Sequence, residues 1–128
     1  MAKDLDSIIE RWKYKADVDI RTIETLLKNE SGITESVCFH AQQAVEKYLK
    51  LFLVSREITP PKTHNIRLLL NECETLHSDF SSLKDAAALT EYAVEARYPD
   101  DYFIPSAEEA DEAYQTAIKV RDFVLSVI

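Results

Sequence analysis

Apolar residues recur every three to four positions through most of this chain, in runs interrupted by its few prolines and its glycine. At about 100° per residue that spacing predicts amphipathic helices. Leu5, Ile8, Ile9, Trp12, Ala16, Ile20, Ile23, Leu26 and Leu27 share one narrow arc over about residues 4–29, and Ser31-Gly32 suits the end of that helix. A second helix, 34–55, places Val37, Cys38, Ala41, Ala44, Val45, Tyr48, Leu49 and Phe52 on its apolar face. A shorter third helix over about 64–76 turns Ile66, Leu69, Leu70, Cys73 and Leu76 one way and His64, Arg67 and Asn71 the other, with Thr63 offered as its N-cap. The fourth is predicted over about 82–97, carrying Leu83, Ala86, Ala87, Thr90, Ala93 and Val94, with Arg97 continuing the line. The fifth starts at Ser106, where Ser106 and Glu109 form a capping-box pair ahead of a stripe of Ala110, Ala113, Tyr114, Ala117, Val124, Leu125 and Ile128. These elements predict a compact all-α bundle with short connections and mostly antiparallel neighbours.

Composition sharpens this picture. One glycine stands where average usage would supply about nine. Tight hairpins and phosphate-cradling loops need residues at positive φ, so a sandwich, a barrel, a Rossmann domain and a P-loop are all disfavoured. The 128 residues suit one domain, 1–128, long enough to bury a core without staples. The net charge of −8 rules out a global basic footprint for nucleic acid or anionic membrane, while leaving room for a local basic patch. Cys38 and Cys73 sit in apolar helical patterns with no metal-binding spacing and read as reduced core residues of a cytoplasmic protein. No signal peptide and no membrane-length apolar run is apparent, and neither a metal nor a cofactor is expected.

The candidate chemistry is confined to a few misplaced polar residues. Asp19 falls inside the apolar arc of the first helix; in an antiparallel hairpin it lies level with roughly position 44, within reach of His40, Gln43 or Lys47. A carboxylate there needs a partner, because desolvating it alone is costly. It serves either as an interhelical clamp or to orient a ligand-facing group. His40, Gln43, Lys47 and Lys50 share a second face of the second helix, bordered by Leu51 and Val54. That face reads as solvated surface, as a homodimer seam or as a contact for an anion or nucleotide. His64, at the predicted start of the third helix beside Lys62, suits a phosphate site or a cap. Arg97 either clamps an acid or phosphate or pairs with the carboxylates around it, and the acidic stretch from Glu91 to Glu112 is solvated surface or a dock for a basic partner.

At FHAQQAVEKYLK (Phe39 to Lys50) the chain resembles the HEPN domain, the higher eukaryotes and prokaryotes nucleotide-binding family. A-x-x-D-I (Ala16 to Ile20), K-T-H-N-I-R-L-L-L (Lys62 to Leu70) and E-A-R-Y-P (Glu95 to Pro99) agree with it in order and spacing, so the resemblance covers nearly the whole chain. It implies an up-and-down four-helix bundle with an additional short helix, commonly a homodimer. It also implies a setting: small prokaryotic members often accompany a minimal nucleotidyltransferase in toxin–antitoxin pairs. Many members are metal-independent RNases whose motif is an arginine closely followed by a histidine. This chain departs from that motif, its nearest approach being Arg56 to His64 with seven residues between. The expectation is therefore a non-catalytic module that binds a nucleotide or a nucleotidyltransferase partner, with Asp19, His40, Gln43, Lys47, Lys50, His64 and Arg97 as ligand-binding candidates. The alternative is an RNase toxin, acting on RNA with an Arg/His pair assembled across the dimer.

Overall fold

The computed structural model describes residues 2–29, 33–93 and 104–128. Among these it contains five helical elements and no strand: α1 (Ala2–Lys28), α2 (Thr34–Ser55), α3 (Ile66–Leu76), a 3₁₀ segment (Ser78–Ala93) and α4 (Ala107–Val127). The all-α bundle expected from the hydrophobic periodicity is the architecture observed. The Ser31-Gly32 turn and Arg97 lie outside the described residues.

Helix α2 is the hub, packed against every other element. It is buried nearly all round, from Val37 and Cys38 through Tyr48 and Leu49 to Phe52 and Leu53. Leu51 and Val54, expected to border an exposed face, are buried too, so they supply no apolar flank for a dimer seam. Helix α1 runs antiparallel to α2, as the contacts of Asp17 with Tyr48 and of Asp19 with His40 and Lys47 require. The 3₁₀ segment also opposes α2, whereas α4 descends alongside it: Phe80 packs on Phe52, and Phe123 on Phe80. The four long segments thus alternate in direction, with α3 as the short additional helix.

The end of α2 shows how a chain with so little glycine closes a helix. Glu57 N–H donates to Val54 O and Ile58 N–H to Leu53 O, the paired bonds of a Schellman ending. The left-handed position that glycine usually fills is taken by Glu57, at φ 60°. From there the Thr59-Pro60-Pro61 connection carries the chain back roughly three helical turns along α2. His64 therefore returns to the level of Gln42 and Glu46, where its carbonyl accepts a 3.4 Å bond from Gln42 Nε2.

Two expected boundaries need correction. Helix α3 begins at Ile66, not His64, and its N-cap is Asn65, whose side chain accepts from Leu68 N–H; Thr63 Oγ1 accepts from the Asn65 N–H instead. The fourth element begins at Ser78, not 82, and is 3₁₀ rather than α. Its inward residues are Phe80, Leu83, Ala86 and Leu89, with Tyr92 half-buried, a strict repeat of three. That repeat makes one continuous line in a helix of three residues per turn, but drifts around an α-helix. The capping box of α4 forms as expected: Glu109 N–H donates to Ser106 Oγ at 3.0 Å, and Ser106 N–H to Glu109 Oε1 at 3.1 Å.

Candidate functional site

The polar residues that interrupt the apolar pattern gather along α2, one group joining it to α1 and the other to the connection that follows it. Asp19 is 5% exposed and Glu46 5%, and with Gln42 they are the buried polar side chains among the described residues. Asp19 Oδ1 lies 2.8 Å from His40 Nδ1, and Asp19 Oδ2 accepts from Lys47 Nζ at 2.7 Å. The hairpin geometry thus brings Asp19 to two of its three expected partners. The third, Gln43, bonds Gln42 instead, donating from Nε2 to Gln42 Oε1 at 2.7 Å.

A second carboxylate repeats this arrangement. Glu46 Oε1 accepts from Lys50 Nζ at 2.8 Å; Glu46 Oε2 lies 2.9 Å from His64 Nδ1 and accepts from Gln42 Nε2 at 3.0 Å. Burial works to raise the pKa of Glu46, but the hydrogen bonds from Lys50, His64 and Gln42 outweigh it and hold the carboxyl below its ordinary value. His64, expected at a helix N-terminus, instead precedes the N-cap and turns Nδ1 to Glu46.

Between these clusters lies a cavity of about 590 Å³. Helix α1 contributes Ile8, Arg11, Trp12 and Lys15 to its wall, and α2 contributes Glu46, Lys47 and Lys50. Four cations therefore line one groove of a chain whose net charge is −8. The two walls differ. Lys47 and Lys50 are each bonded to a buried carboxylate. Arg11 and Lys15 have no hydrogen-bond or ion-pair partner among the described residues and stand exposed. Trp12 supplies a flat apolar surface between them.

Of the residues singled out from sequence, Asp19, His40, Lys47, Lys50 and His64 all take part in the two clusters. Glu46, Gln42 and the whole α1 wall are additions from the structure. By pattern Trp12 and Ile8 belong to the core arc of α1, but Ile8 is 38% exposed and both line the groove. A signal exists in the sequence: Arg11 and Lys15 flank that arc one helical turn apart. Arg97 lies outside the described residues. The thiols offer no nucleophile: burial pushes the Cys38 pKa up to about 11 despite a hydrogen bond with Tyr92, and burial pushes that of Cys73 up to about 12.

Among the described residues no cluster of His, Cys, Asp and Glu could hold a metal ion, and no helix is long and apolar enough to cross a membrane. The sequence matches no curated protein at a significant level. The crystal structure of TT1696 from Thermus thermophilus matches this fold with a TM-score of 0.77 and 30% sequence identity, over 94% of this chain and 98% of that one. The profile of the HEPN domain matches residues 9–127. That span runs from the groove wall of α1, through Asp19, His40, Glu46 and His64, to the end of α4: the chain belongs to the HEPN domain family.

Proposed function

We propose that this HEPN domain is a non-catalytic module that binds a nucleotide in the α1–α2 groove and works beside a nucleotidyltransferase in a toxin–antitoxin-type pair. The observation that carries the ligand class is the groove itself. Arginine and lysine side chains hold phosphate through charge-assisted hydrogen bonds. Trp12 adds a face on which a base can stack. The cavity falls within the ~300–1,000 Å³ of ordinary small-ligand sites. The partner rests on the family alone, as does a homodimer.

Because Trp12 is the chain's one tryptophan, binding has a built-in reporter. Titration with ATP or GTP should quench its fluorescence saturably, with a matching calorimetric heat, and Arg11→Ala or Lys47→Ala should weaken both signals. Absence of heat and of quenching with every nucleoside triphosphate, together with failure to co-purify with a co-expressed nucleotidyltransferase, would overturn the reading. Cleavage of mixed RNA by the purified protein at neutral pH, abolished by His64→Ala or His40→Ala, would replace it with the RNase alternative. In that case one of the carboxylate-bonded histidines would serve as general acid or base.

A further inference from the structure

Each lysine on the α2 wall of the groove shares its carboxylate with a histidine. Asp19 bridges Lys47 and His40, and Glu46 bridges Lys50 and His64. The lysines line the cavity and the histidines do not. Water reaches the histidines from outside the groove, His64 with 69% of its side chain exposed and His40 with 28%. We propose that anion binding in this groove is coupled to proton uptake by His64 and His40, each proton releasing a lysine from its buried carboxylate toward the ligand.

The identity of the ligand rests on the nucleotide reading, and the coupling on local charge. With both histidines neutral, each carboxylate is balanced by its lysine alone. An anion entering the groove competes with Glu46 for Lys50 and with Asp19 for Lys47. If it wins, it leaves a carboxylate that is 5% exposed without its cation, a costly state. A proton on the histidine supplies the missing charge at a hydrogen bond already made, 2.9 Å for His64 and 2.8 Å for His40. The other charged groups facing this groove are Arg11 and Lys15 from α1; their positive charge favours the anion and disfavours a proton on either histidine, an opposition that the bound anion itself offsets. From α2, Gln42 keeps its bond to Glu46 throughout.

The test is ATP affinity between roughly pH 5.5 and pH 8 for the wild-type chain and for the double variant His40→Gln/His64→Gln, by Trp12 fluorescence and by calorimetry in buffers of different ionisation enthalpy. The terminal phosphate of ATP titrates in the same window, but identically for both proteins, so the difference between their curves belongs to the histidines. The wild type should bind about tenfold more tightly at the acid end than the double variant's own trend accounts for. It should also take up protons on binding in excess of the double variant. Parallel curves and equal proton uptake would overturn the coupling and leave the nucleotide reading standing. Absence of ATP binding at every pH would overturn both. Circular dichroism of the double variant secures the comparison, and if it fails to fold, the single His64→Gln variant, whose side chain is the more exposed, should show about half the linked uptake.

Discussion

The two sides of α2 hold the molecule by different means. Toward the 3₁₀ segment and α4 it presents Phe52, which packs on Phe80 with ring centroids 4.5 Å apart; Phe80 in turn meets Phe123 at 4.8 Å. His77 sits edge-on to all three rings, and its Nδ1 has no hydrogen-bond partner among the described residues. Toward the groove it shares with α1, α2 presents Glu46, Lys47 and Lys50, and His40 and His64 are bonded to the two carboxylates that hold these lysines. The phenylalanine side is held by uncharged ring contacts, while the groove side is held by charges that can be exchanged. A helix gripped firmly on one side can carry a rechargeable other side. The contrast predicts that stability and ligand binding separate: mutations on the ring side should change stability most, and mutations on the groove side should change affinity most.

The largest effect is expected from Phe80→Ala, which opens a cavity where a ring 1% exposed now sits. Large-to-small changes of this kind cost about 3–5 kcal/mol. Urea unfolding should show that loss, while the variant that remains folded at low temperature should bind ATP as the wild type does. A matching loss of affinity would show that the two sides are not independent. Glu46→Gln should follow, at about 1–3 kcal/mol, because it leaves Lys50, 12% exposed in its side chain, without an anionic partner. Its affinity for ATP should move the opposite way, about threefold or more tighter, since Lys50 no longer divides its charge between Glu46 and the ligand. A variant both less stable and weaker-binding would count against the groove.

Acid sharpens the same contrast. The folded-state pKa of Glu46 lies below its ordinary value, so the unfolded chain takes up the proton first as the pH falls. The stability this carboxylate contributes is present in full above its unfolded value, about 4.3, and is lost as the pH drops through the lower folded value. The gap in unfolding free energy between wild type and Glu46→Gln should therefore be constant near neutrality and narrow below about pH 4. The corresponding gap for Phe80→Ala should not follow that course.

Legibility from sequence follows the same division. The apolar periodicity locates all of the long elements, because burial of one helical face is a local regularity. It places α2 at its observed ends and the capping box of α4 on its observed residues. The fourth element reads as α because Leu83, Ala86 and Thr90 satisfy an α-helical spacing, while Phe80, Leu83, Ala86, Leu89 and Tyr92 satisfy a stricter repeat of three. Asp19 is legible as an anomaly, a carboxylate on an apolar arc. Glu46 is not, because a glutamate among Gln42, Lys47 and Lys50 looks like any solvated helix surface. Its burial depends on the Pro60-Pro61 connection bringing His64 back along α2, a long-range event that no local pattern records. The α1 wall is hidden for a related reason: Trp12 and Ile8 belong to the core arc by pattern, and only the packing of α1 on α2 shows that both border the groove.

The smallest change in stability, and the sharpest test of where the ligand sits, belongs to Lys15→Ala. Lys15 is exposed and without a polar partner among the described residues, so its loss should move the unfolding free energy by no more than about 0.5 kcal/mol. Yet it has no carboxylate to leave before meeting an anion. Unlike Lys47 and Lys50, its contribution to binding should not depend on any proton of the protein. ATP affinity should fall about three- to tenfold, by nearly the same factor at roughly pH 5.5 and pH 8. Lys50→Ala should instead cost more at the acid end, where the lysine it removes would otherwise have been released. If the two variants lose affinity by the same pH-independent factor, the walls of the groove do not differ in the way their ion pairs imply.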